Sequence, residues 1–202
     1  YLKTDILMIG YFIGNDQAGY YAAATRLSEI WYFIPTLVLS VFYPKLQKLK
    51  YQENEAYQQL LSRILQGLMA LALSITLLTT LFAEVIVGLL YGGEYEATAP
   101  VIAIQTWVLM FVFIRGVYSS WLLLEAHYKY SLVSHLAGAS VNVILNVLLI
   151  PLFAGQGAAV ATVIAYLVSS VLVVLAFQQT RSFAMLTGKM GWQLLMLPFA
   201  GL

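Results

Sequence analysis

Long apolar runs broken by short polar punctuation dominate this chain. They predict the end of one helix at about 3–13, then spans near 18–43, 64–91, 98–124, 129–153 and 157–178, with a last, incomplete stretch from about 190. Crossing the hydrocarbon core of a bilayer takes about 20 helical residues, so the runs after the first are long enough to span and Ile6 to Ile13 is not. The runs are continuous rather than alternating, which selects helices over the strands of a membrane barrel. The expected fold class is all-α: a polytopic transmembrane helix bundle without a soluble domain. The longest polar segment, Lys45 to Arg63, holds Lys45, Lys48, Lys50, Glu53 and Glu55, and predicts a short amphipathic helix on the membrane surface.

Composition agrees with that pattern. Hydrophobic residues make up 61% of the chain, against roughly 45–50% in soluble domains. Only 9% are charged, so a soluble globule of this size could not cover itself with polar groups. The net charge of +1 conceals an asymmetry. One set of connections carries Lys3, the 45–63 cluster, Lys129, Arg181 and Lys189. The alternate set, Gly14 to Gly19, Tyr91 to Pro100 and Ala154 to Gly157, has no Lys or Arg and carries Asp16, Glu94 and Glu96. Basic loops stay on the cytoplasmic side. The expected location is therefore the cytoplasmic (inner) membrane, multi-pass, with those loops inside. The chain opens on Tyr1-Leu2-Lys3-Thr4-Asp5 without an initiator Met and closes inside an apolar run, which predicts a piece of a longer protein.

Ionisable residues inside spans are costly and normally face a cavity or a partner. Asp5 stands near the start of the first helix. Arg26 and Glu29 lie one turn apart in the next span, and Arg115 lies deep in the 98–124 span. In one reading Arg26 and Arg115 line a cavity and hold an anionic group, because a guanidinium makes bidentate bonds to phosphate or carboxylate. In the other, Arg26 neutralises Glu29 and Arg115 pairs with a carboxylate of another helix. Polar stripes accompany these charges. Ser131, His135, Gly138, Asn142 and Asn146 recur at helical spacing, as do Thr25, Glu29, Tyr32 and Thr36. Such stripes glue helices together or line an aqueous path, so Asn142, Asn146 and Tyr32 are either packing or cavity residues. Histidine ordinarily titrates near neutrality, which makes His135 a candidate proton relay. Pro35 predicts a kink within its span, whereas Pro44, Pro100 and Pro151 mark helix ends.

No catalytic motif is present: no His-Glu-x-x-His helix, phosphate loop or nucleophile elbow. With His127 and His135 as the only histidines and no cysteine, neither a metal site nor a bound cofactor is expected.

Several stretches resemble the oligosaccharide flippase, or polysaccharide exporter, family, which includes O-antigen flippases and belongs to the multidrug/oligosaccharidyl-lipid/polysaccharide superfamily. They are Asp5 to Gly10, Ala18 to Leu27, Val41 to Leu46, Leu89 to Tyr95, Asn142 to Asn146, Ile150-Pro151 and Gly155 to Thr162. The resemblance implies the second lobe of a two-lobed, V-shaped transporter, with the N-terminal lobe as its partner in the same chain. It implies alternating access that flips a polyprenyl-diphosphate-linked oligosaccharide for polysaccharide or O-antigen biosynthesis. A cationic cavity of that kind suits Arg26 and Arg115. Proton or sodium coupling is also implied, with Asp5, Glu29 or His135 as the coupling residue. A multidrug or cation antiporter of the same superfamily would favour unpaired carboxylates, and the deep Arg115 argues against it. A membrane enzyme acting on lipid-linked sugars would carry a large outward loop, and the outward connections here are short.

Overall fold

The structure, a computed structural model, describes residues 2–183, so the apolar stretch from about 190 lies outside the described residues. Within them the chain is all-α and four helical stretches are long and apolar enough to cross a membrane. This is a polytopic membrane bundle. The elements are α1 (Leu2–Phe12), α2 (Asn15–Glu29), α3 (Phe33–Gln52), α4 (Asn54–Leu81), α5 (Ala83–Tyr91), a 3-10 turn (Gly93–Tyr95), α6 (Thr98–Gln105), α7 (Val108–Leu124), α8 (Tyr128–Leu167), a π-helical turn (Val168–Leu172) and α9 (Val173–Ala176).

Most breaks have a visible cause. Pro35, which lacks an N–H, sits in the first turn of α3, and the helix gives way just before it at residues 30–32. There the amides of Trp31, Tyr32 and Ile34 reach back only three residues, to Ser28, Glu29 and Trp31. The break between α6 and α7 contains no proline. Thr106 turns its hydroxyl back onto the Ile102 carbonyl, and its own carbonyl accepts both the Leu109 amide and the Thr76 hydroxyl of α4, each at 3.0 Å. Pro44, expected at a helix end, is instead carried inside α3. The basic segment is likewise not a separate surface helix. It is the end of α3 and the start of α4, divided at Glu53 alone, where φ is −146° and ψ is 88°.

The last long helix is a hairpin. Ala154 has φ 48° and ψ −129°, which folds one limb back on the other. Contacts then spread symmetrically from the corner: Leu149 against Gly157, Asn142 against Thr162 and Gly138 against Ser169. At Gly157 a Cβ would stand 2.4 Å from the Leu149 carbonyl oxygen, so only glycine closes this corner.

Two apolar cores result. Ile9, Tyr21, Val87, Ile102, Ile150 and Ala158 pack toward the end bearing Asp16, Glu94 and Glu96, the acidic end. Leu65, Phe113, Tyr118, Trp121, Tyr130 and Phe183 pack toward the end bearing Lys45, Lys48 and Lys129, the basic end.

Candidate functional site

A row of polar positions on the first limb of α8 meets Asp5 of α1 in the acidic-end half. Ser134, Gly138, Asn142, Asn146 and Ile150 recur every four residues and all are buried. The buried stripe therefore begins at Ser134, while His135 and Ser131 fall on its flank, His135 exposed and Ser131 half-buried. Asp5 is fully buried and collects three hydrogen bonds. Asn146 Nδ2 donates to Oδ1 at 2.5 Å, and the Tyr21 hydroxyl and Thr162 Oγ1 each donate to Oδ2 at 2.9 Å. Asn142 Nδ2 donates to Thr162 Oγ1 at 3.3 Å, and its Oδ1 accepts from Asn146 at 3.2 Å. One carboxylate thus ties together α1, α2 and both limbs of α8.

The depth of the cluster follows from helix geometry. Tyr21 is six residues from Asn15, Asp5 is seven from Phe12, and Asn146 and Thr162 are eight on either side of Ala154. At 1.5 Å per residue that is roughly 9–12 Å inside the acidic end. A charge there is tolerable only when hydrogen bonds replace water, and three donors do so here. No ion pair joins Asp5 to a Lys or Arg among the described residues. One acceptor is left over: the buried Asn146 Oδ1 has no partner. The site holds a single carboxylate surrounded by hydroxyl and amide groups, a set that can exchange a proton or present oxygens to a small hard cation. Among the described residues no group of three His, Cys, Asp or Glu gathers to hold a metal.

The two arginines separate. Arg26 is exposed on α2, with Lys3 of α1 also exposed and Glu29 half-buried. Among the described residues no direct ion pair closes between Arg26 and Glu29. Lys3 and Arg26 both act on the Glu29 carboxylate through space. Arg115 is only 9% exposed and its Nη1 donates to the Ser169 carbonyl, in the π-helical turn, at 3.5 Å. It braces α7 against the second limb of α8. Tyr32 is half-buried beside the α2–α3 break, and Thr25 is buried with its hydroxyl on the Ala22 carbonyl, so the break interrupts their expected stripe.

Asp5, Asn142 and Asn146, singled out in the sequence, are brought together; His135, Glu29 and Arg115 are not part of that cluster. Reading the sequence missed Tyr21, Thr162 and Lys3. Thr162 had a signal, as a lone hydroxyl two turns after the 154–157 corner, the same distance as Asn146 before it. A polar groove of about 330 Å³ on α4, lined by Gln58, Gln59, Ser62, Arg63 and Gln66, was also missed, because all but Gln66 fell in the presumed surface helix.

Residues 1–100 match the family model described as polysaccharide biosynthesis protein. Over that stretch the chain is similar to the polysaccharide biosynthesis protein family. Among curated proteins it is similar to the probable low-salt glycan biosynthesis flippase Agl15 of Haloferax volcanii, 26% identical over 85% of this chain and 37% of that protein. It is also similar to the probable flippase AglR of the same organism, 27% identical over 87% of this chain and 38% of that protein. An uncharacterized membrane protein of Methanocaldococcus jannaschii is 29% identical over 81% of this chain and 33% of its own length. The chain thus spans about a third of the length of the curated relatives it matches. No solved structure gives a significant match.

Proposed function

We propose that this chain forms the second lobe of a transporter, not an enzyme, that flips a polyprenyl-diphosphate-linked oligosaccharide across the cytoplasmic membrane by alternating access. In this reading the basic end faces the cytoplasm and a first lobe of the same protein completes the cavity. The coupling part of this reading is carried by the Asp5 cluster, a buried carboxylate with no cationic partner among the described residues that joins α1, α2 and both limbs of α8. A proton or sodium ion arriving there changes the charge that four helical segments share, and so biases how they pack. The exposed Lys3 and Arg26 supply the cationic wall for the diphosphate, and they disfavour a cavity made for cationic drugs.

The test uses the full-length protein in sealed vesicles with a fluorescent lipid-linked oligosaccharide and an imposed proton or sodium gradient. Translocation should rise with one of the gradients. Asp5→Asn should retain ligand binding and lose the gradient response. Arg26→Ala should weaken binding by about ten- to a hundred-fold, the equivalent of one charge-assisted hydrogen bond. Undiminished gradient dependence in Asp5→Asn would remove the coupling role. Failure of the unsubstituted protein to translocate any lipid-linked oligosaccharide would remove the function.

A further inference from the structure

The exposed side of α3 is not explained by the Asp5 cluster. Of the 20 residues of α3, Pro35, Leu39 and Leu46 are buried, so one side of the helix holds it to the bundle. The opposite side carries two parallel rows. Thr36, Ser40 and Gln47, at spacings of four and seven, form a hydroxyl and amide row, and all three are exposed. Phe33, Leu37 and Val41, at spacings of four, form an adjacent apolar row that is 59%, 57% and 69% exposed.

Among the described residues nothing packs over either row. Bulk lipid gains nothing from the exposed polar groups of Thr36 and Gln47, and Ser40 turns its hydroxyl hydrogen onto the Leu37 carbonyl at 2.8 Å, leaving its oxygen to accept. The ends of the rows add charge. Lys45 and Lys48 are exposed where α3 approaches the basic end, and Arg26 and Lys3 are exposed beyond its other end. Cations at both ends of a half-polar, half-apolar strip complement an amphiphile with an anionic, hydroxyl-rich head.

We propose that this face of α3 is a binding track for the lipid-linked ligand, with the diphosphate-sugar head on the Thr36–Ser40–Gln47 row and the start of the prenyl chain on the Phe33–Leu37–Val41 row. The proposal rests on the transport reading and deepens it. The head passes between the basic-end lysines and Arg26 along groups that replace its water, while the chain never leaves an apolar surface.

The test is thiol accessibility in the full-length protein, cleared of any cysteine outside these residues, which themselves have none. Thr36→Cys, Ser40→Cys and Gln47→Cys are made singly, with Leu39→Cys as the buried control. Each is treated from the basic side with a charged, membrane-impermeant thiol reagent, alone or with geranylgeranyl diphosphate or geranylgeraniol. Labelling of the three row positions should be many-fold faster than at Leu39→Cys. Geranylgeranyl diphosphate should slow it several-fold and geranylgeraniol should not. Row positions as inert as Leu39→Cys would mean the face is packed against protein. Reaction with lipid-soluble maleimides only would mean it faces bulk lipid. Labelling that the diphosphate leaves unchanged would mean a wet surface without this ligand. Each of the three overturns the track. The same vesicles report oligosaccharide translocation. Translocation with an inert row overturns the track alone, whereas an unsubstituted protein that moves nothing overturns the transport reading beneath it.

Discussion

At the acidic end α1, α2 and the two limbs of α8 meet around Asp5; at the basic end α3, α4 and α7 meet around Lys50 and Glu125. Asp5 is sealed from solvent and answered by three neutral donors. Glu125, about a quarter exposed, pairs with Lys50 at 3.1 Å and accepts from Tyr57 at 3.3 Å, while Lys50 also caps the Leu124 carbonyl. The second arrangement is a brace in which opposite charges cancel and water screens what remains. The first leaves a carboxyl group in a low-dielectric interior, held by groups whose hydrogen bonds can be rearranged. A bundle built only for stability would have no use for such a group, since an apolar side chain of similar size packs there at less cost.

The sharpest way to break this contrast is at the corner that brings Thr162 to Asp5. Gly157→Ala should cost the most, because the added carbon meets a backbone oxygen that cannot move aside, whereas Gly67→Ala meets nothing within 4 Å. Thermal unfolding of the detergent-purified full-length protein should fall steeply for the first and stay near the parent for the second; equal stabilities would mean the hairpin closes otherwise.

Next in size are Asp5→Ala and Thr162→Val. Each strands polar partners in a dry site, at about 1–3 kcal/mol. Because they share a hydrogen bond, the double variant should cost clearly less than the two single costs together. Strict additivity in denaturant titrations would show that the two side chains do not act as one network.

The smallest effect belongs to the basic end. A double-mutant cycle on Lys50→Met and Glu125→Gln should give a coupling of about 0.2–1 kcal/mol, fading as salt is raised. A large, salt-insensitive coupling would erase the difference between the two ends.

Much was legible along the chain because a bilayer imposes a strong rule. Every backbone group in it must be satisfied locally, so long apolar runs can only be helices, and the sequence by itself determined an all-α membrane bundle. Pro35 also announced its break, since a missing N–H acts within one turn. Pro44 did not behave as its local chemistry suggested, and the 45–63 segment became helix ends rather than a surface helix, because polarity alone does not say where a helix stops. The tertiary structure decided the partners. Asn142 and Asn146 showed themselves as a stripe, but what they face depends on Ala154 folding the second limb of α8 back over the first. That fold carries Thr162 to Asp5, 157 residues away in sequence, and nothing in local spacing encodes a contact of that range. In sequence Arg26 and Arg115 were equal candidates for an anionic group, although Arg26 has Glu29 one turn away. Only packing told them apart, leaving Arg26 open on α2 and pressing Arg115 onto a carbonyl that the π-helical turn presents.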